Sequence, residues 1–243
     1  MPPEMTLGGD LSDEHPANSR REAIIAEFDA WAATYETERL APWYQMHARE
    51  VFGQIDLSTA RRVLDIGCGT GWALRQLARE HPDIEFHGID IAPVMIAEAE
   101  RLAQLEGLAN LAFHHGDWEQ MGPAIAQGRH DTIRPGFDLV LALSSLHYIA
   151  DLSATLVSIR DCLYTGGNLV LVERDTQGSN LTRIWGALHK FVLRDGVEFT
   201  DTEELLRMMR ETGFASVRTL ARKRQMFRHG KLFTSVIVIE GAA

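Results

Sequence analysis

Cysteine is scarce in this sequence of 243 residues, in which only Cys68 and Cys162 occur. Two cysteines cannot build a disulfide framework or a four-cysteine zinc site. Cys68 lies in a glycine-rich stretch and Cys162 in a predicted helix, so the two are not expected to pair. The scarcity therefore excludes the small disulfide-stabilised folds and the cysteine-rich metal domains.

Positive charge and long apolar runs are also lacking. The sequence has 24 lysines and arginines against 34 aspartates and glutamates, and its formal net charge is −10, which disfavours a grip on nucleic-acid phosphates. No apolar run approaches the roughly 20 residues of a membrane span. The first residues, MPPEMTLGGD, are polar and unlike a secretory signal. We expect a cytoplasmic protein with no nucleic-acid partner and no stable membrane insertion.

Short apolar segments alternate with segments of helical periodicity from residue 61 onward. This alternation is typical of right-handed βαβ units, which form a parallel sheet with helices on both faces. Near the end, ASVRTLA and FTSVIVIE follow each other with no helix between them, which predicts an antiparallel hairpin at one edge of the sheet. The helix before this hairpin is predicted to begin with a capping box at Thr200–Glu203. The predicted fold class is therefore α/β.

The sequence divides into three regions. Residues 1–20 are polar and rich in Pro, Gly and acids, which predicts a flexible tail. Residues 21–60 carry an apolar stripe at helical spacing, and residues 61–243 hold the alternating core with an aromatic, helical insert at 181–199. The stripe consists of Ile24, Phe28, Trp31 and Tyr35.

The stretch VLDIGCGTG, residues 63–71, joins a predicted strand to a predicted helix through three glycines. A P-loop would need a Lys and a Ser or Thr after the last glycine, but Trp72 and Ala73 follow. The dinucleotide fingerprint G-x-G-x-x-G also fails, because its third glycine would fall at Trp72. A carboxylate at Asp65 would repel a pyrophosphate but suits a ligand with an ammonium group.

Two further acids end the next two predicted strands. Asp90 is placed where an acid can accept hydrogen bonds from both ribose hydroxyls. Asp117 can accept from an exocyclic adenine amine, and Trp118 beside it can offer a ring face. Together with Asp65, these acids describe a ligand that contains ammonium, ribose and adenine but no phosphate. S-adenosylmethionine fits that description.

The sequence resembles the class I S-adenosylmethionine-dependent methyltransferases, and within them the small-molecule, ubiquinone/menaquinone-type branch. Five motifs carry the resemblance in register over about residues 22–240: VLDIGCGTG, GIDIAPVMI, HHGDW, FDLVLALSSLHYI and LYTGGNLVLVE. The resemblance implies a Rossmann-like sheet of seven strands whose last strand is inserted antiparallel, in agreement with the hairpin. It also implies that residues 21–60 and the insert 181–199 close over the substrate as a lid.

Candidate site residues follow from the motifs and from the resemblance. Cys68 is interpreted as a small filler within the turn, and the segment Ala142–Ser144 is expected to offer backbone groups to the methionine part. The candidate cofactor-binding residues are Asp65, Gly67, Cys68, Gly69, Gly71, Asp90, Ile91, Asp117, Trp118, Ala142, Leu143 and Ser144.

His147 and Tyr35 are the candidate catalytic residues. His147 follows the fourth core strand, where it could take a proton from a substrate hydroxyl or orient a loop by bonding a backbone carbonyl. Relatives carry a histidine here while acting on different substrates, which favours the structural role. Tyr35 matches a family position that often lies beside the cofactor. His114 and His115 point to opposite faces of a strand, so no metal site is predicted.

The resemblance implies an enzyme that methylates O, N or C of a small-molecule acceptor. The residues after the fourth strand, LSSLHY, contain neither the (D/N)PP(Y/F) motif of DNA amino-methyltransferases nor the Pro-Cys of C5-cytosine enzymes. The alternative is a non-catalytic cofactor-binding or regulatory module that keeps the methyltransferase fold. The acceptor and the oligomeric state stay open at this point.

Overall fold

The computed structural model describes residues 16–39, 45, 52–53, 55–174, 201–225 and 234–243. Three predicted regions lie wholly or largely outside these residues: residues 1–15 of the tail, the helical insert 181–199 and most of the stretch between the N-terminal stripe and the core.

One sheet of seven strands forms the centre of the molecule, in the order β3-β2-β1-β4-β5-β7-β6. Strands β1 to β5 are parallel, and β7 runs antiparallel to both β5 and β6. The predicted Rossmann-like, mostly parallel sheet with an antiparallel edge hairpin is confirmed. The strands are β1 Arg62–Ile66, β2 Glu85–Asp90, β3 Leu111–His115, β4 Phe137–Leu143, β5 Leu163–Arg174, β6 Ser216–Gln225 and β7 Thr234–Ala242.

Six α-helices surround this sheet in the described part of the chain. Beyond the first of them, the chain continues through a 3₁₀ turn at Ala32–Thr34 and a π-helical turn at Tyr35–Arg39. The helices are α1 Pro16–Trp31, α2 Trp72–Glu80, α3 Pro93–Leu105, α4 Trp118–Ala126, α5 Leu152–Cys162 and α6 Thr202–Glu211.

Three helix details differ from the sequence-based expectation. Helix α1 begins at Pro16, within the stretch predicted as tail. Helix α4 was not predicted, because Pro123 lies inside it and obscures the helical pattern. Helix α6 is capped by Asp201, whose side chain accepts a hydrogen bond from the backbone N–H of Glu203 (2.9 Å), so the cap predicted at Thr200 is wrong by one residue.

Both faces of the sheet are buried, because alternate residues of each central strand point to opposite sides. In β4, Val140 and Ala142 belong to a core that includes α5 and α6. Their neighbours Leu139, Leu141 and Leu143 belong to a second core built with α2. The near-continuous apolar sequence of this strand follows from burial on both sides.

The strand order also fixes the position of the ligand crevice. The chain runs outward from β1 to β2 and β3 on one side, and from β4 to β5 on the other. The carboxyl ends of β1 and β4 therefore border a topological switch point, where ligands bind in open α/β sheets. None of the helices described is long and apolar enough to cross a membrane.

Two histidines stack on one another across β2 and β3, away from this crevice. His87 Nε2 lies 2.7 Å from Glu85 Oε1, and His87 Nδ1 lies 3.1 Å from His114 Nε2. Both bonds form when His87 donates to Glu85 and accepts from His114 in the neutral state. Burial, followed by the charges of His87 and His130, lowers the pKa of His114 to about 4. His115 instead lies 3.1 Å from the Ile91 carbonyl, so the adjacent histidines have separate partners.

The histidine pair predicts an acid-sensitive component of stability. The pKa of His114 falls from 6.5 in the unfolded chain to about 4 in the folded chain, so its contribution is complete above pH 6.5 and is lost as the pH falls towards 4. We expect acidification from about pH 7.5 to about pH 5 to cost the wild type about 1 kcal/mol more unfolding free energy than it costs His114→Gln. Urea unfolding measures this difference.

A matched control is His81→Gln, which changes a histidine at the end of α2 outside the pair. This variant should follow the wild-type pH dependence. Parallel pH profiles for the wild type and His114→Gln would show that the histidine pair does not resist protonation.

Candidate active site

The glycine turn joins β1 to α2 and makes most of its hydrogen bonds to the end of β2. Gly67, Gly69 and Gly71 all have left-handed backbones, with φ of 73°, 55° and 70°, a region that favours glycine. The N–H groups of Gly67 and Cys68 donate to the Ile89 carbonyl, and that of Gly69 donates to Asp90 Oδ2. A phosphate cradle would turn such amides towards its ligand. In this turn, three of the backbone amides instead donate to acceptors at the end of β2.

The surroundings of the glycines differ in one informative way. A Cβ atom at Gly67 would collide with Ser145, and one at Gly71 would collide with the ring of Phe113. Among the described residues, a Cβ at Gly69 would meet a single atom within 4 Å, Cε1 of Tyr35, at 3.8 Å. The first and third glycines are therefore required by protein packing. The middle glycine borders open space beneath Tyr35, which is room that a ligand can use.

Asp65 is a buried carboxylate without a described partner. Its exposure is 0%, and neither carboxylate oxygen accepts a hydrogen bond from any residue that the structure describes. Burial, reinforced by the charge of Asp90, raises its pKa well above the ordinary value. A buried acid in this state is stabilised by an approaching cation. Asp65 therefore fits the ammonium group that the sequence analysis assigned to it.

Asp90 connects the glycine turn to the start of α3. Its Oδ2 accepts from the N–H of Gly69 (2.8 Å), and its Oδ1 accepts from the N–H of Ala92 (2.9 Å). Burial raises its pKa despite these two bonds. Each carboxylate oxygen can still accept a second hydrogen bond. The geometry therefore leaves Asp90 compatible with ribose hydroxyls, with Ile91 next to it in the same loop.

The third acid, Asp117, caps helix α4. Its Oδ1 accepts from the N–H of Glu119 (2.9 Å), while its Oδ2 lies 2.6 Å from Nε of Arg21 in helix α1. Trp118 does not face the crevice as predicted. Its indole is 3% exposed and donates from Nε1 to Ser158 Oγ (3.0 Å). The Trp118 ring belongs to the packing between α4 and α5 and offers no face to an adenine.

The end of β4 contains the one non-glycine residue with a left-handed backbone in the described chain. Ser144 has φ of 60°, a conformation that costs about 1–2 kcal/mol outside glycine. Its N–H donates to the Val172 carbonyl (2.7 Å), and Ser145 Oγ donates to the Ile66 carbonyl (2.6 Å). Ala142 and Leu143 are buried just before this kink. The kink therefore turns the chain while keeping it tied to β5 and β1.

His147 follows the kink and forms a pair with Glu173 at the end of β5. His147 Nδ1 lies 2.9 Å from Glu173 Oε2, and the N–H of Leu146 donates to Oε1 (3.0 Å). The two side chains are only 10% and 9% exposed. A backbone carbonyl was one expected partner of His147, but the structure provides a carboxylate. Glu173 was missed because a glutamate at a strand end has no distinguishing local pattern.

The N-terminal segment covers this region with aromatic rings. Tyr35 is half-buried, and loss of solvent together with the charges of Asp90 and Tyr148 raises its pKa. The Phe28 ring packs edge-on against Tyr148 at 5.4 Å, and the Tyr148 ring lies 4.3 Å from that of His147. Tyr35 is thus near both Asp90 and Tyr148. Of the other stripe residues, Trp31 packs on Phe28 at 5.5 Å.

Two chemistries receive no support from the described residues. Burial raises the pKa of the Cys68 thiol well above the ordinary value, with the acids Asp90 and Asp65 adding to the effect. The thiol is therefore held protonated, as suits a small filler and not a nucleophile. Within the described ranges, no cluster of three or more His, Cys, Asp or Glu side chains is arranged to hold a metal ion.

Comparison with known proteins gives a family match and several relatives. A methyltransferase domain family matches residues 57–213. The aklanonic acid methyltransferase of Streptomyces sp. strain C5 is 34% identical over 161 residues, covering 64% of this chain and 67% of that protein. The 3-hydroxy-5-methyl-1-naphthoate 3-O-methyltransferase of Streptomyces sahachiroi is 28% identical over 198 residues, covering 75% of this chain and 51% of that protein.

A solved structure extends the likeness to the fold. It comes from Thermotoga maritima, is described as an S-adenosylmethionine-dependent methyltransferase and possible histamine N-methyltransferase, and has 20% identity with a TM-score of 0.62. The match covers 93% of this chain and 99% of that one. At this identity the likeness concerns the fold alone. The chain spans about two thirds of the first Streptomyces enzyme and about half of the second.

The open space at Gly69 generates the first prediction for the site. We expect Gly69→Val to weaken binding of S-adenosylhomocysteine at least tenfold, because the side chain fills the space below Tyr35. It should also cost roughly 1–2 kcal/mol of stability through backbone strain. Isothermal titration calorimetry measures the affinity and urea unfolding the stability.

The matched control is Gly107→Val. Gly107 has φ of 68°, and no atom of the described residues lies within 4 Å of a Cβ built there. It follows α3, outside the crevice. It should suffer the same strain and bind normally. Normal binding by Gly69→Val would remove the turn from the ligand site.

Asp90 generates a second prediction. We expect Asp90→Ala to weaken S-adenosylhomocysteine binding by roughly tenfold or more, because charge-assisted hydrogen bonds to the ligand contribute about 1.5–3 kcal/mol each. The melting temperature should fall as well, since the bonds to Gly69 and Ala92 are lost. Calorimetry and thermal unfolding give the two values. The exposed Asp131, in the loop before β4, supplies the control Asp131→Ala. Unchanged affinity in a folded Asp90→Ala would contradict the ribose assignment.

Proposed function

The chain belongs to the methyltransferase domain family. From this premise we propose that it transfers a methyl group from S-adenosylmethionine to a hydroxyl oxygen of a small-molecule acceptor, the kind of transfer that the name of the Streptomyces sahachiroi relative describes. S-adenosylmethionine is the cofactor of this family, and the described residues fit it. Asp65 accepts no hydrogen bond from the described residues and could pair with the cofactor ammonium, and the described residues leave space beside Gly69 for a ligand. Asp90 and Asp117 keep acceptor capacity for ribose and adenine.

The cofactor, when bound, supplies a methyl group on a sulfonium and so brings its own activation. The protein has to hold the acceptor in line, exclude water and, for some acceptors, remove a proton. The aromatic rings of Phe28, Tyr35 and Tyr148 cover the crevice and suit the first two tasks. We propose that the segment from α1 to Arg39 acts as part of a lid. The predicted insert 181–199 would form the rest.

The His147–Glu173 pair is the observation that carries the proposal of a hydroxyl acceptor. Glu173 accepts the Nδ1 proton of His147, which fixes the ring and its tautomer. Nε2 is then the nitrogen that can take a proton. A carboxylate acceptor is already ionised and needs no base, whereas a hydroxyl gains from one. Burial of a complete His–Glu pair at the carboxyl ends of β4 and β5 is therefore most useful to O-methylation.

The alternative function, a non-catalytic cofactor-binding or regulatory module, places no demand on this pair. Such a module needs the glycine turn and the acids but no proton acceptor. N- and C-methylation are the other outcomes that an acceptor screen distinguishes. Isotope-labelled methyl transfer to a metabolite extract, followed by a panel of simple phenols, alcohols, amines and carboxylic acids, separates these possibilities.

We expect His147→Asn to lower kcat by roughly 10²–10⁴-fold, the usual contribution of a general base. Affinity for S-adenosylhomocysteine should stay within about twofold, because His147 is assigned to the acceptor. Glu173→Gln should lower kcat less, since the amide can still hold the imidazole in place but no longer offers it a carboxylate.

Two results would contradict this function. Full turnover by His147→Asn on a hydroxyl acceptor would remove the base, and transfer confined to amines or carboxylates would replace the acceptor class. Binding of cofactor with no transfer to any acceptor would favour the non-catalytic module.

A further inference from the structure

The N-terminal segment docks on the same loops that carry the predicted cofactor groups. Arg21 meets Asp117, and Asp29 Oδ1 accepts from the N–H of Val94 at the start of α3 (2.9 Å). Thr70 of the glycine turn donates from Oγ1 to Glu36 Oε1 (2.7 Å). These contacts reach the adenine, ribose and methionine loops in turn. Docking of the segment and occupation of the crevice therefore act on shared groups.

Among these contacts, that of Arg21 involves an acid assigned to the cofactor, Asp117. Its Nε lies 2.6 Å from Asp117 Oδ2, and its Nη2 lies 3.9 Å from Glu119 Oε2. Asp117 Oδ1 is already engaged by the N–H of Glu119. Oδ2 accepts no hydrogen bond from the described residues and so has more acceptor capacity for an adenine amine, and it is the oxygen against which the Arg21 guanidinium lies.

Glu119 offers the guanidinium a second position. Its Oε1 accepts from the N–H of Asp151 at the start of α5 (2.8 Å), which holds the side chain in place. Its Oε2 is the oxygen that faces Arg21. A short movement of the guanidinium would exchange Asp117 for Glu119 without leaving a cation unpaired.

We propose that Arg21 is a gating residue of the cofactor site, which occupies Asp117 when adenine is absent and moves to Glu119 when adenine binds. The inference rests on the proposed function, because it takes Asp117 as the acceptor of the adenine amine. Arg21 and the amine compete for one oxygen, so the ion pair lowers cofactor affinity and favours release of the product, which carries the same adenine. The partial exposure of the pair, 28% for Arg21 and 10% for Asp117, keeps this competition modest.

The test measures S-adenosylhomocysteine binding by calorimetry in the full-length protein. Arg21→Gln should bind roughly three- to tenfold more tightly than the wild type, the range expected for a partly buried ion pair. Glu119→Gln, which keeps an acceptor for Asp151, should bind more weakly because Arg21 loses its second position. In the double variant, Glu119→Gln should have no further effect, so the two changes are coupled.

Salt and a modified ligand provide independent readouts. Raising the ionic strength should tighten binding to the wild type more than to Arg21→Gln, since salt screens the pair. S-inosylhomocysteine carries a keto oxygen in place of the exocyclic amine, so Arg21→Gln should not improve its binding. Without ligand, hydrogen exchange of α1 should be faster in Arg21→Gln. The matched control is Arg101→Gln, which breaks the exposed Arg101–Glu98 pair on α3.

The outcomes separate this inference from the proposed function. Absence of S-adenosylhomocysteine binding by the wild type would overturn the cofactor site and the gate together. If the wild type binds and Asp117→Asn weakens binding, the site stands. Unchanged or weaker binding by Arg21→Gln would then overturn the gate alone and make Arg21 a contact that supports the bound cofactor.

Discussion

The hydrogen bonds accepted by the Asp90 carboxylate are the interaction on which the site depends. It accepts from the glycine turn through Gly69 and from the start of α3 through Ala92, so one side chain sets the spacing of two loops. Asp90 supplies the acceptor for the N–H of Gly69, the glycine that borders the space assigned to the ligand. The proposed ligand contact by Asp90 is thus additional to this structural role.

The second half of the site, the His147–Glu173 pair, lies at a different pair of strands, β4 and β5. β4 and β5 lie side by side, so His147 in the turn after β4 meets Glu173 at the end of β5, although the two are far apart in sequence. The kink at Ser144 directs the chain into this meeting while Ser145 remains tied to β1. The groups proposed to bind the methyl donor and to face the acceptor are therefore held by strands of one sheet. The described N-terminal segment contributes no strand. Side-chain contacts with the glycine turn, the start of α3 and Asp117 position it.

The sequence allowed prediction of the elements whose pattern is local. Burial on two faces made β4 recognisable as a long apolar run, and the absence of a helix between β6 and β7 predicted their hairpin. Asp65, Asp90 and Asp117 were recognisable as candidate site residues because they lie at the ends of consecutive predicted strands. Glu173 could not be found in this way, because its role comes from a partner on another strand. The side to which Trp118 turns was equally hidden, since it depends on Ser158 in a distant helix. The resemblance of the chain to the ubiquinone/menaquinone-type branch stays a prediction.

The isolation of Asp65 has a consequence for the energetics of ligand capture. Burial raises the pKa of this acid, which disfavours its charged form while no cation lies beside it. In the proposed complex, an ammonium group beside Asp65 would favour the charged form and lower this pKa again. Where that change crosses the working pH, capture of the methyl donor would release a proton, and its apparent enthalpy would vary with the ionisation heat of the buffer. Occupancy of this protein would follow the acidity of its surroundings, through a residue that no solvent reaches.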